Sequence, residues 1–271
     1  MLPHNRPEVF STVFRNRLGY ICSISALAIL FFIPLAAIAI YFRSGIREIY
    51  ATLLEDESNK LDVIQAVFGA TNFKCLIELI GFAIAGLGLG GAFSCFSKLT
   101  LNEIVFVSDF FTSFKKINWL KFVFFGLFLG VSFWIFSFTF NGIPCSDLSG
   151  FPAMICYGFC ITQLLLVFVF VAYLYMQNNV YTLQTKYLFS NAFKFTIKTF
   201  FQSLGFISII LLPYALVLFE NVLTDIAVVF VMFFFLPLGL IPLVLFIQSR
   251  FDKYINKDLY PDFVDKGFKR N

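Results

Sequence analysis

The chain holds few side chains that could do chemistry. It has six cysteines (Cys22, Cys75, Cys95, Cys145, Cys156 and Cys160) and one histidine, His4, in 271 residues. A structural zinc ion needs four nitrogen or sulfur ligands at characteristic spacings, and neither a Cys-x-x-Cys nor a histidine pair occurs. Cys156 and Cys160 stand four apart and read as small apolar residues on one helix face. The sequence has no phosphate-cradling glycine loop ending in Lys-Ser/Thr, no His-Glu-x-x-His, no Gly-x-Ser-x-Gly and no carboxylate cluster. The expected catalytic, metal and cofactor sites are therefore none, and the chain is not expected to be an enzyme.

Glu78 is the one acidic residue well inside an apolar run, and an ionisable group in that setting is a candidate for function. Lys74 precedes it by one helical turn. An ion pair at the membrane boundary is the first reading, a proton or ion site the second. Gln163 and Asn141 are weaker polar candidates, each explained as well by hydrogen bonds between helices. The run around Glu78 is also rich in small residues. Gly86, Gly90 and Ser94 recur at every fourth position, as do Gly88 and Ala92, and are expected to put small residues on one face where another helix can approach closely. These five residues are candidates for helix packing.

The elements that carry these residues follow from composition. Hydrophobic residues make up 59% of the chain and charged ones 13%, too few to cover a soluble domain when about 25% is usual. The 41 phenylalanines sit in long apolar stretches. Six such stretches, at residues 18–42, 75–97, 120–140, 152–177, 200–219 and 225–248, are each long enough to cross a hydrocarbon layer of about 30 Å as a helix. The backbone must satisfy its own hydrogen bonds there, so helices are expected, and the alternation of a barrel is missing. Arg15 and Arg17 precede the first stretch as they would a signal peptide, but it exceeds the usual apolar length and is read as retained. The expected fold is a single all-α transmembrane bundle spanning 1–271. Pro34, Pro213, Pro237 and Pro242 imply kinks.

Charge orients the bundle. Sixteen of the 20 Lys and Arg fall in the two tails and the second and fourth connections; the third and fifth connections have none. The basic side is expected to be cytoplasmic, with both termini inside and the Asp147 and Glu220–Asp225 loops outside. Cys75, Cys145 and Cys156 then lie near the outer face, which leaves room for one disulfide among them. The long first connection, 43–74, repeats apolar residues at helical spacing (Ile46, Ile49, Tyr50, Leu53, Leu54, then Leu61, Ile64, Phe68) and reads as two short amphipathic helices on the outer surface. Connections two and four also read as short amphipathic helices. Ser108-Asp-Phe-Phe with Lys116 and Trp119 is matched 82 residues later by Ser190-Asn-Ala-Phe with Lys198 and Phe201, each serine being an N-cap candidate. A parallel repeat of spans two and three as spans four and five is one explanation; convergence of two boundary connections is the other.

The stretch Gly88-Leu-Gly-Gly-Ala-Phe to Lys98, then Asn102-Glu103 and Val107-Ser-Asp-Phe-Phe-Thr-Ser-Phe-Lys-Lys-Ile-Asn-Trp, resembles the YesL-like family of bacterial membrane proteins, domain of unknown function 624. Met176-Gln-Asn-Asn-Val-Tyr is more loosely similar, and the long first connection departs from the family's compact form. The resemblance implies a multi-pass protein of the bacterial plasma membrane, often found with carbohydrate importers of the ATP-binding-cassette type, and brings no established activity. It makes an accessory or regulatory role in carbohydrate uptake the first expectation, with subunits of such an importer and the lipid bilayer as partners. A small-solute transporter is the alternative. Nucleic acid is not an expected partner.

Overall fold

In the computed structural model, residues 5–55, 60–116, 119–143, 149–181, 183–212, 222–261 and 264 are described. Cys145, the Asp147 loop, Pro213 and Glu220 lie outside them. The helices are α1 (Arg6–Leu30), α2 (Ile33–Glu55), α3 (Lys60–Thr100), α4 (Ser108–Lys116), α5 (Trp119–Gly142), α6 (Gly150–Val180), α7 (Thr185–Leu211) and α8 (Val222–Phe251). The last continues through a π-helical turn at Asp252–Asn256 into α9 (Lys257–Leu259). No strand occurs among the described residues, and six helices are long and apolar enough to cross a membrane. The chain is a multi-pass, all-helical membrane protein.

The first crossing differs from a single helix over 18–42. Asn5 caps α1 by accepting the Glu8 N–H at 2.9 Å, and Pro7 follows in the first turn, where its missing N–H costs nothing. At Arg17 the backbone leaves the helical region (φ −128°, ψ 20°), which kinks α1. The helix stops at Leu30 because Pro34 has no N–H for the Leu30 carbonyl and its ring crowds that turn. The break is bridged rather than open: Phe31 N–H donates to Ala28 O at 3.1 Å, Phe32 N–H to Ile29 O at 2.8 Å, and Ala36 N–H to Phe32 O at 3.0 Å. Past the kink, Ala28 and Phe31 lie against Gly88, Leu35 lies against Gly81, and the Phe42 ring meets Phe73 at 5.9 Å. The second half of α1 and the first half of α2 thus run antiparallel along α3 as one broken crossing. The segment before Arg17 reaches over to the end of α8.

The two short helices expected at 46–54 and 61–68 are not separate elements. Their apolar spacing belongs to the far half of α2 and the first turns of α3. Roughly 12 residues of each, about 18 Å of helix, extend the hairpin past the charged pair Lys74–Glu78. We call this the hairpin end and the opposite one, with Arg6 and Asp252, the tail end.

α3 is the central helix, packing against α1, α2, α4, α5, α6 and α8. At the tail end it stops at Asn102, which takes a left-handed φ of 58°, a conformation asparagine tolerates better than most residues. Ser108 is the first residue of α4 rather than its cap, and Asp109 in the first turn reaches back instead: its Oδ2 accepts the Phe106 N–H at 3.0 Å and its Oδ1 meets Lys98 Nζ at 3.2 Å. Those contacts, the Phe106 N–H foremost, hold the Asp109 carboxyl below the usual carboxylate range. The matching Ser190 is not a cap either. It lies inside α7, which starts five residues earlier at Thr185 and is one helix through the connection and span. The two halves share the order span, basic aromatic helix, span, with the last two fused in the second.

Candidate functional site

A chamber among the described residues follows from α2. Among the described residues α2 packs extensively on α3 alone, while α6, α7 and α8 pack on one another and on α3 or α5. The space between is a chamber of about 540 Å³, within the roughly 300–1,000 Å³ of small-molecule sites. Ala36, Phe82, Leu129, Val171, Ile207 and Met232 are among its walls, one from each of six helices.

Toward the tail end the chamber has an aromatic floor. Phe93 and Tyr175 line it and stack at 5.4 Å with their planes 8° apart. Phe122 and Phe125 pack on the same tyrosine at 5.7 and 5.4 Å. The Tyr175 hydroxyl donates to the Gly86 carbonyl at 3.0 Å, which satisfies a group with no access to water. Toward the hairpin end stand the chamber's charged residues, Arg43, Lys74 and Glu78.

The sequence pointed to Glu78, and the structure puts it in this mouth. Lys74 Nζ lies 3.5 Å from Glu78 Oε1, so the expected ion pair forms. It is not out among headgroups, however. Glu78 is 3% exposed, and its Oε2 is buried with no hydrogen-bond partner. A buried acceptor left unmatched costs about 1–3 kcal/mol, more when charged.

What fills the chamber follows from its walls. Water needs two to four polar partners, and apolar cavities stay dry. An empty chamber would leave its apolar lining without dispersion partners on one side. Hydrocarbon is the filling that meets neither penalty.

Other expected residues fall elsewhere. Gln163 is half-buried on α6 and does not line the chamber. Asn141 Nδ2 donates within its own helix, to the Ser137 carbonyl at 2.9 Å and hydroxyl at 3.0 Å. The small residues of α3 serve two faces rather than one. Gly86 and Gly90 face α5: a Cβ on Gly86 would lie 2.5 Å from the Phe122 carbonyl, and one on Gly90 2.5 Å from the Phe122 ring. Gly88 faces α1, where its Cβ would lie 2.8 Å from the Ala28 carbonyl. Ala92 is fully buried, and Ser94 is half-buried. Cys75 and Cys156 are free thiols.

A belt of polar contacts at the tail end went unread in the sequence. Gln248 of α8 donates to Thr100 Oγ1 of α3 at 3.0 Å, and Tyr181 donates to Asn256 at 2.6 Å. Arg6 pairs with Asp252 at 2.6 Å and donates to the Leu245 carbonyl at 3.1 Å. Gln177 is fully buried with neither side-chain end bonded. These groups look like ordinary boundary residues in sequence. The four-residue spacing of Tyr173 and Gln177 on α6, with Tyr181 just past its end, is the one signal that could have found them.

No family model matches the chain, and neither the curated proteins nor the solved structures contain a match, so the likeness to the YesL-like family rests on the sequence motifs alone.

Proposed function

We propose that this is a bacterial plasma-membrane protein that serves as an accessory or regulatory component beside a carbohydrate importer, rather than as the path a solute takes. The observation carrying this reading is the chamber's chemistry. A sugar presents hydroxyls all round, and each one desolvated without a partner costs about 1–3 kcal/mol. The walls are almost wholly apolar, and the floor of Phe93, Tyr175, Phe122 and Phe125 separates the chamber from the tail end. The family likeness supplies the importer, and the basic tails and connections supply the orientation, with the tail end in the cytoplasm.

The test is capture of partners. Gentle cross-linking in membranes followed by mild detergent should bring a permease or ATPase subunit down with the chain; recovery of the chain alone defeats the reading. A small-solute transporter is the second reading, favoured by the broken crossing at Phe31–Phe32 and by Pro237 and Pro242 within α8. Flux of a broad solute panel through reconstituted vesicles separates the two.

A further inference from the structure

We propose that Lys198, Arg250 and Lys253 form a headgroup site for one anionic phospholipid, where α7 and α8 leave the hydrocarbon at the tail end. The site shares no residue with the chamber and does not depend on the accessory role. Its level in the membrane follows from charge. In α7 no charged residue follows Lys198 as far as Leu211, and in α8 none precedes Arg250 back to Ile226. Lys198 meets Tyr254, Gln202 meets Arg250, and the Phe206 and Phe246 rings lie 5.5 Å apart, so the two helices run antiparallel and in contact here. The innermost charges of both helices therefore stand together at the edge of the apolar layer, where the phosphates of a leaflet lie.

Three cations converge at this point. Lys198 Nζ stands 3.7 Å from the centre of the Tyr254 ring and Lys253 Nζ 5.4 Å from it. The Arg250 guanidinium lies 4.8 Å over the Phe246 ring and donates to Gln202 Oε1 at 2.6 Å. Among the described residues none of the three pairs with a carboxylate, and the one acid of the π-helical turn, Asp252, is held by Arg6 at 2.6 Å. Aromatic faces and an amide oxygen thus position the cations without cancelling their charge. Like charges gathered this way repel, and an anion among them removes that cost. Phosphate is the anion that Lys and Arg N–H groups suit best, through bonds of the stronger, charge-assisted class. Lys198, Gln202 and Lys253 are exposed, so the site is open to the leaflet. A soluble phosphate has the same head chemistry. The lipid is selected by Phe201, 85% exposed beside Gln202, and by the half-buried Phe246, which give an acyl chain apolar surface on the hydrocarbon side of the cations.

The experiment uses the full chain, purified in neutral detergent and stripped of lipid, with phosphatidylglycerol and phosphatidylcholine of identical acyl chains and with inorganic phosphate. Bound lipid is counted by native mass spectrometry and affinity measured by titration. The expected result is one phosphatidylglycerol per chain, held about tenfold or more tighter than phosphatidylcholine and not displaced by inorganic phosphate at the lipid's concentration. A basic group at an anionic surface contributes about fivefold in affinity, so Lys198→Gln with Lys253→Gln should weaken phosphatidylglycerol roughly 25-fold and leave phosphatidylcholine unchanged. Lys121→Gln with Lys186→Gln removes the same charge elsewhere at the tail end. Lys186 stands about 18 Å of helix from Lys198, beyond the screening length, and this pair should cost less than about threefold. The comparison of headgroups on the unaltered chain needs no variant, so misfolding of a variant leaves the test intact. Equal binding of the two lipids, displacement by inorganic phosphate, or equal losses from the two pairs of substitutions would each overturn the proposal.

Discussion

Gly86 and Gly126 bring α3 and α5 together backbone to backbone, and replacing either with alanine has a consequence that can be worked through. At Gly86 a Cβ would stand 2.5 Å from the Phe122 carbonyl oxygen and 2.8 Å from the Gly126 Cα. At Gly126 it would run into the Phe82 carbonyl and stand 2.9 Å from the Gly86 Cα. The obstructing atoms are backbone, so no rotamer relieves the clash. Ordinary contact begins near 3.4 Å, so α3 and α5 must part by about 0.9 Å. A gap of 0.5–1 Å already forfeits roughly a quarter to a half of each dispersion contact along the crossing. It also pulls the Gly86 carbonyl from Tyr175. Overpacking typically costs about 1–3 kcal/mol, and each single alanine should fall in that range. The double substitution should cost clearly less than the sum, because the helices part only once. Gly158→Ala and Gly205→Ala are the controls: nothing lies within 4 Å of either Cβ, and alanine favours a helix over glycine. Reversible unfolding in mixed micelles reads all five variants. If Gly86→Ala matched Gly158→Ala, the crossing is not as close as described and the reasoning about α3 fails.

Three further outcomes are expected. Lys74→Met should destabilise by about 1–3 kcal/mol because it deprives the buried Glu78 carboxylate of the ammonium it pairs with, whereas Lys74→Met with Glu78→Met should recover most of the loss; equal losses in single and double variants would contradict a buried pair. Arg6→Gln should cost roughly 1 kcal/mol and speed hydrogen exchange in residues 6–16 selectively, since Arg6 ties that segment to Asp252 and Leu245; uniform exchange changes would contradict the tie. Asp109 is held below the ordinary carboxylate value near ~4, so its contribution is complete above that value and fades as pH falls through the lower folded one. Fluorescence from Trp119, at the start of α5, should report loosening of α4 only at such acid pH, and Asp109→Asn should abolish the transition while costing at most about 1 kcal/mol at neutral pH, because the amide oxygen still accepts the Phe106 N–H and only the partly exposed Lys98 pair is lost.

Much of the architecture was legible because hydrocarbon imposes so strong a constraint. Long apolar runs gave six membrane-length helices, and the antiparallel contacts of Ala28, Leu35 and Phe42 along α3 agree with a crossing near 18–42. Within that crossing Pro34 signalled a kink, but a break bridged by short-range bonds depends on how the neighbouring carbonyls are met, which composition does not state. The amphipathic spacing of 46–54 and 61–68 is helical as expected, but it belongs to two long helices that continue the crossing rather than to separate short ones. The four-residue spacing of Gly86, Gly90 and Ser94 was visible, but 86 and 88 differ by about 200° around a helix, so the two sets serve opposite neighbours. Glu78 was found by its charge. The chamber was not legible, because its apolar walls come from residues indistinguishable from lipid-facing ones, and only the meeting of seven helices defines it.

The central claim is that the space between α2, α3 and the later helices is filled with hydrocarbon and offers no path to a polar solute. A nitroxide attached at Ala36→Cys, in the chain reconstituted into bilayer nanodiscs, tests it through collision rates with oxygen and with a water-soluble nickel chelate. The account predicts strong relaxation by oxygen and almost none by the chelate, opposite to a label at the exposed Glu8→Cys. Chelate accessibility at Ala36 equal to that at position 8 would mean a water-filled chamber and would contradict the account.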